Sequence, residues 1–248
     1  MMGKPSISWV VMLGTGLAVA SALMLLAGPV GYRLGILPLR VALQTLLRWG
    51  AYGGIAAAVV SLAGLVVTLM RPREARRGLL LAAISLLAGA VLIGIPGRFR
   101  LGPPRPPIHD ITTDTQEPPE YVAVLPRRVN VPNTTVYGGE KIASQQREAY
   151  PDLQPLILNV PPPQAFDRAL AAVREMGWEL VAADATAGRI EATDTTFWFG
   201  FKDDVVVRVR PTDGGSRVDV RSLSRVGGGD AGTNAKRIRA YLDALRVE

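Results

Sequence analysis

Three stretches without a single charged residue, 9–28, 50–70 and 79–95, dominate the first hundred positions and decide which folds are open to the chain. Each approaches the roughly 20 apolar residues that cross a bilayer core. The third is the shortest, and its ends extend to Gly78 and Pro96. Residues 1–97 are therefore read as a three-span transmembrane region. Lys4 and the triplets Ala18-Val19-Ala20 and Ala20-Ser21-Ala22 imitate a secretory signal with its cleavage site. The apolar run continues past both triplets through Leu23 to Ala27, which favours a retained span over a cleaved one.

Within the second stretch, Gly50, Gly54 and Ala58, with Ala57 and Ser61, permit close helix approach. Packing of the three helices on one another is the simpler reading, ahead of dimerisation, and the sequence does not fix an oligomeric state. No Asp, Glu, Lys, Arg or His lies inside a span, which argues against an ion or proton pathway. Residues 32–49 carry Arg33, Arg40 and Arg48 among Leu, Ile and Val. That mixture predicts an amphipathic stretch at the interface and is too charged for a fourth span.

The net charge of +7 invites a nucleic-acid reading until it is partitioned. Residues 1–108 hold eleven Lys and Arg against Glu74 alone, a net +10, and the remainder is net −3. Basicity flanks the spans, so the implied partner is the lipid bilayer and no nucleic acid. Lys4, Arg71, Arg73, Arg76 and Arg77 nearly balance Arg33, Arg40, Arg48, Arg98, Arg100 and Arg105 across the two sides. The compact turn with four arginines best resists translocation. It predicts a cytoplasmic N-terminus and a C-terminal domain outside, which in a bacterium means a multi-pass inner-membrane protein with a periplasmic domain. Absence of cysteine excludes disulfides, thiolate catalysis, Cys-ligated zinc and Fe–S clusters, and no cofactor is indicated.

Residues 98–107 form a stiff linker, with Pro103, Pro104, Pro106 and Pro107 lacking backbone donors. A soluble domain occupies 108–248. Its first part, 110–150, is irregular, with prolines at 118, 119, 126 and 132, and reads as an ordered wrap or a partly mobile arm. Then 156–160 predicts a strand, and Pro161-Pro162-Pro163 opens a helix with Phe166, Ala169, Leu170 and Val173 on one face. Strands follow at 178–183 and 189–193. In the aromatic run, Phe197, Phe199 and Phe201 are assigned to the core and Trp198 to the other face. Strands 202–210 and 217–225 flank Asp213-Gly214, read as a type I′ turn. That turn pairs Val209 with Val218, Arg208 with Asp219, Val207 with Val220 and Val206 with Arg221. Val205, Val207, Val209, Val218 and Val220 then share the core face, while Arg208, Arg210, Arg217, Asp219, Arg221 and Arg225 share the other. A last helix over 234–247, capped by Asp230 or Thr233, buries Ile238, Tyr241, Leu242 and Leu245. The fold class is a membrane-anchored α+β protein: three N-terminal transmembrane helices, then an antiparallel sheet with two helices on one face, in the order β-α-β-β-β-β-α.

Several strings, in order, carry a resemblance. They are Pro107-Ile108-His109-Asp110-Ile111-Thr112-Thr113-Asp114 with Pro118-Pro119; Gln145-Gln146-Arg147 with Ala149-Tyr150-Pro151-Asp152; Asp203-Asp204-Val205 with Arg208; and Val218-Asp219-Val220-Arg221-Ser222 with Ser224-Arg225-Val226-Gly227, Asp230, Gly232, Asn234, Arg237 and Ile238. Together, over about 107–246, they resemble the DUF1499 family, a domain of unknown function. The resemblance implies a domain boundary and agrees with spans ahead of the domain. It brings no catalytic set.

Candidate chemistry is sparse. His109, with Asp110 and Asp114 beside it, lacks the convergent partners of a base or metal site. Ser144, Ser222 and Ser224 sit in no Gly-x-Ser-x-Gly elbow. Gly227-Gly228-Gly229 is more simply a turn than an anion cradle. The arginine row admits two readings: oxyanion recognition, or ion pairing with Asp204, Asp219 and Asp230, which the domain's net charge favours. Trp198 is either a surface residue or a ligand-stacking or membrane contact. The leading expectation is a non-catalytic domain held at the membrane for interaction with an envelope protein or other envelope component. The alternative is binding of an anion, small ligand or lipid headgroup through Arg208, Arg221 and Arg225, with Trp198, His109 and Asp110 as further candidates. A hydrolase-type enzyme ranks third, with no catalytic residue or metal ligand to name.

Overall fold

The computed structural model describes residues 7–71, 76, 78–97, 106–229 and 231–247. The chain divides into two compact units, Met1–Pro103 and Pro104–Glu248.

The first unit is a bundle of α1 (Trp9–Arg33), α2 and α3 (Leu79–Gly97), in which α2 starts as a π-helical turn, Val41–Leu46, and continues as Leu47–Leu69. Gly35, at φ +70°, supplies the left-handed residue that ends α1. The interior holds small residues: Gly14, Ala18 and Ser21 of α1 face inward, as do Gly50, Gly54, Ala57, Ser61 and Gly64 of α2. Large apolar side chains, among them Trp9, Met12, Leu23, Val59, Leu62 and Leu87, face outward. A Cβ on Gly89 would stand 2.8 Å from the backbone nitrogen of Ala58, so α2 and α3 touch nearly backbone to backbone. Hydroxyls of Thr15 and Ser85 share a 2.8 Å hydrogen bond between α1 and α3.

Among the described residues two of these helices, Trp9–Arg33 and Val41–Leu69, are long and apolar enough to cross a membrane, where the sequence predicted three. The described apolar part of the third, Leu79–Leu92, rises only about 21 Å at 1.5 Å per residue. A correction concerns 32–49. Its latter half is the first part of the Val41–Leu69 helix and no separate amphipathic stretch. Arg40 and Arg48 are accommodated by donating to Gln44 Oε1 and Tyr52 Oη one turn on, each at 3.3 Å.

The second unit contains β1 (Asp110–Thr112), a 3₁₀ turn (Leu125–Arg128), α4 (Glu140–Ala149), β2 (Leu156–Leu158), α5 (Pro162–Glu175), β3 (Glu179–Asp184), β4 (Arg189–Thr195), β5 (Lys202–Thr212), β6 (Gly215–Ser224) and α6 (Thr233–Val247). The expected β-α-β-β-β-β-α order is present, with β1, the 3₁₀ turn and α4 added from the segment read as irregular. All strands form one sheet in the order β1-β6-β5-β4-β3, and β2 shares the outer edge of β6 with β1. The hairpin has the expected register: Arg208 opposes Asp219, Val207 opposes Val220, and Arg210 opposes Arg217. Its turn is not type I′, because only Gly214, at φ +82°, has a positive φ and Asp213 does not. That is the sign pattern of a type II turn, which needs glycine at its second central position.

Prolines at the first positions start α5, and Gly177 stops it in a Schellman motif: Gly177 N–H donates to Arg174 O, and Trp178 N–H to Val173 O. Helices α5 and α6 cover one sheet face. Phe166, Val173, Ile238, Tyr241 and Leu245 pack there on Ile190 and the five hairpin valines, and Trp178 stacks on Tyr241 at 5.3 Å. The segment between β1 and α4 covers the other face as an ordered wrap, with Tyr121 and Val124 packed on Val206 and Leu223. Gln146 of α4 clamps β1, donating to Thr112 O (2.6 Å) and accepting from Thr112 N–H (2.9 Å).

The aromatic run departs from expectation. Residues 196–201 are a tight β4–β5 turn, closed by Gly200 N–H to Thr196 O and Thr196 N–H to Phe201 O. Phe197 is therefore 80% exposed instead of buried, Trp198 is 59% exposed, and Phe199 stacks on Phe201. The turn breaks the period-two alternation on which the core assignment depended.

Candidate functional site

Alternation along the hairpin puts its valines under the helices and its arginines under the wrap. The result is a lattice of arginines and carboxylates between sheet and wrap. At its outer end Arg208, Arg210 and Arg217 surround Asp114, Asp219 and Glu117. Arg217 reaches Asp114 at 2.7 Å, Arg208 reaches Asp219 at 3.1 Å, and Arg210 reaches Glu117 at 2.7 Å. The like-charge pair Arg210 and Arg217 is relieved by the two aspartates both arginines share.

Arg221 sits deeper. Its Nε and Nη2 grip Asp110 at 2.9 and 2.7 Å, Nη1 donates to Pro119 O, and Nη2 donates to Thr135 O. The guanidinium also lies over the rings of Tyr121 and Tyr137, at 5.0 and 5.5 Å from their centroids. Four of its five N–H donors are thus directed at protein acceptors. Burial pushes the Tyr121 hydroxyl well above its ordinary pKa and takes Tyr137 to about 12, so both stay neutral beside it.

Next along the sheet, Asp204 receives Arg225 through Nε (2.9 Å) and Nη2 (2.8 Å), Thr193 Oγ1 (2.7 Å), and Arg128. Burial alone would raise this carboxyl, but the hydrogen bonds from Arg225, Thr193 and Arg128 outweigh it and hold the group below the carboxylate range. Glu191, fully buried, accepts the backbone N–H groups of Val122, Ala123 and Val124 and so ties the entry of the 3₁₀ turn to β4. On the helix side, Arg237 of α6 reaches Asp203 at 2.6 Å and Asp194 at 2.7 Å.

The candidates named from sequence are placed as follows. Arg208, Arg221 and Arg225 all lie in the lattice, and Asp110 is the partner of Arg221. His109 joins the sheet through its backbone oxygen, which accepts from Ser224 N–H and Asn234 Nδ2; its Nδ1 is buried with no hydrogen-bond partner among the described residues. Trp198 stands on the exposed turn. Asp230, offered as a cap and as an ion-pair partner, lies outside the described residues. Sequence reasoning did not single out Arg128 or Glu191. An acid flanked by apolar neighbours in a strand, Ile190-Glu191-Ala192, was the available signal for the second, whereas Arg128 meets Asp204 across 76 positions and carried none.

Two shallow depressions open on this side. One, of about 330 Å³, is lined by Glu117, Pro119, Glu120, Arg189 and Arg208 among others, and one of about 320 Å³ by Arg128 and residues 131–135. Among the described residues no three His, Cys, Asp or Glu side chains are grouped so as to hold a metal ion. Several of the carboxylates tie elements together: Asp114 joins the wrap to the hairpin, Asp204 joins β5 to Arg128 of the 3₁₀ turn, and Asp203 joins β5 to α6.

No curated protein matches this chain. The family model described as a protein of unknown function (DUF1499) matches residues 110–245, which include the whole lattice from Asp110 to Arg237. That stretch is more than half of the sequence, and the chain belongs to the DUF1499 family.

Proposed function

We propose that the chain is a three-span protein of the bacterial inner membrane, N-terminus in the cytoplasm, that holds its DUF1499 domain in the periplasm as a non-catalytic interaction module. The observation that carries the membrane part is the inverted distribution in the helical bundle, with glycine, alanine and serine inside and large apolar side chains outside. Water would penalise such a surface, whereas lipid favours it and leaves close packing to the small residues. Helix α3, with 19 residues, rises about 28 Å, near the thickness of a hydrocarbon core. Orientation follows from the arginine-rich turn between α2 and α3. Alkaline phosphatase fused after Glu248 is expected to be active. An inactive fusion, with a cytoplasmic reporter active at the same position, overturns the orientation.

Engagement of the arginines supports a module over an anion site. Arg221 is committed to Asp110 and two carbonyls, and Arg225 to Asp204. Calorimetric titration of the full chain with inorganic phosphate is expected to show no binding, and saturable binding lost in Arg208→Ala would restore the anion-site reading. Candidate partners are an envelope protein and the bilayer itself.

A further inference from the structure

The β4–β5 turn presents two large aromatic side chains to the surroundings, Phe197 and Trp198, the second also in edge contact with the first at 5.4 Å between ring centroids. Elsewhere the domain keeps its aromatic rings in: Phe166, Trp178, Tyr121 and Tyr241 are buried. The turn's position in the sheet is as informative as its composition. Thr195 pairs with Lys202, Asp203 pairs with Ser224, and Ser224 N–H donates to His109 O. The turn, the end of β6 and the point where the chain enters the domain therefore share one end of the sheet. At about 4.8 Å per strand, the turn lies within about 15 Å of that entry. The Asp213-Gly214 turn is at the opposite end.

We propose that this aromatic turn is a membrane-contact element that inserts Phe197 and Trp198 into the interface of the bilayer from which the domain is tethered. The proposal rests on the membrane reading above. Tryptophan prefers the headgroup level, where its ring is sheltered and its N–H stays hydrated, and phenylalanine beside it adds apolar area. Lys202, exposed next to the turn, gives the same end a cation for anionic headgroups. From Gly97 to Pro106 the chain can extend at most about 32 Å, so the turn meets lipid at high effective concentration and two side chains suffice where they would not for a free domain.

A sequence without cysteine makes the test clean. Phe197→Cys, Asp213→Cys and Val59→Cys, all at exposed positions, are each labelled with the dye NBD in the full chain. Each is reconstituted in vesicles of phosphatidylethanolamine and phosphatidylglycerol (about 3:1) carrying lipids spin-labelled near the headgroup or deep in the acyl chain. The label at 197 is expected to be quenched by the shallow spin label several-fold more than the label at 213, and Trp198→Ser in the same background is expected to lose at least half of that quenching. Equal, weak quenching at 197 and 213, with strong quenching by the deep label at 59, overturns the turn's role while leaving the spans intact. Absence of quenching at 59 overturns the membrane reading, and this proposal with it. Shielding of the 197 label from aqueous iodide in detergent, without lipid quenching, assigns the turn to a second copy of the chain and likewise overturns the proposal.

Discussion

At the scale of single residues, the domain concentrates its polar energetics in a few carboxylates, and Asp204 is the clearest. Its side chain is fully buried and accepts from two arginines and a threonine. Asp204→Asn leaves Arg128 and Arg225 without a compensating charge and is expected to cost about 3–5 kcal/mol at neutral pH. The cost depends on pH in a definite direction. The native carboxyl titrates below its ordinary value of 3.8, so the unfolded chain binds this proton first as pH falls. Stabilisation from Asp204 is complete above that ordinary value and vanishes as pH drops through the lowered native one. Urea unfolding followed by Trp178 fluorescence should therefore show a large wild-type-to-variant gap at pH 7 that narrows as pH falls below 3.8; a gap of constant size removes the assignment. Arg221 and Arg210 make a second contrast. With its donors committed beneath the wrap, Arg221→Ala is expected to cost about 3–5 kcal/mol, whereas half-exposed Arg210→Ala is expected to cost less than about 1 kcal/mol. Equal losses would show that the lattice does not distinguish depth.

Among the elements, those legible in the sequence obey a local rule. The β5–β6 hairpin was legible to the residue, because glycine fixes the turn and alternation fixes which valines are buried; only the turn type escaped, since its φ signs depend on strand twist. Helix α5 was legible from its proline start and Gly177 stop. The wrap was not, because β1, with three residues, exists only against the far half of β6, and the 3₁₀ turn is held by Glu191, some 67 residues ahead in sequence. Nor was the aromatic turn, where three alternating phenylalanines imitate a strand although β4 ends at Thr195 and Gly200, at φ +67°, helps turn the chain back into β5. Of the candidate site, the arginine row and its face were legible, while most of its partners were not, since they arrive from the wrap. In the helical bundle, small residues mark contacts, which gives a paired test. Gly89→Val drives a side chain into the backbone of Ala58, whereas Gly16→Val meets nothing within 4 Å. In detergent, Gly89→Val is expected to lower the melting temperature of the bundle by several degrees or abolish its folding, and Gly16→Val to leave it unchanged. Similar behaviour of the two would mean that α2 and α3 do not pack as described.

For the whole molecule, the two units are held together by different physics, and their charges are partitioned to match. The helical unit buries little polar structure and turns its apolar side chains outward, so its stability is set by the medium around it. The DUF1499 unit has a closed core of its own from Ile108 to Leu245, and its ion pairs join residues within 110–246. Among the described residues, every member of that core cluster lies between Ile108 and Leu245. A segment comprising 104–248 is therefore expected to be soluble and to unfold in one cooperative transition without the helices. Its denaturation midpoint should match that of the domain in the full chain to within a few degrees. Because the lattice is buried, the midpoint should also move little between 0.05 and 0.5 M salt, as buried pairs are screened far less than surface pairs. A segment that aggregates, melts without cooperativity, or melts many degrees below the intact protein would show that the helices complete the domain's core. In that case the chain would be one folding unit.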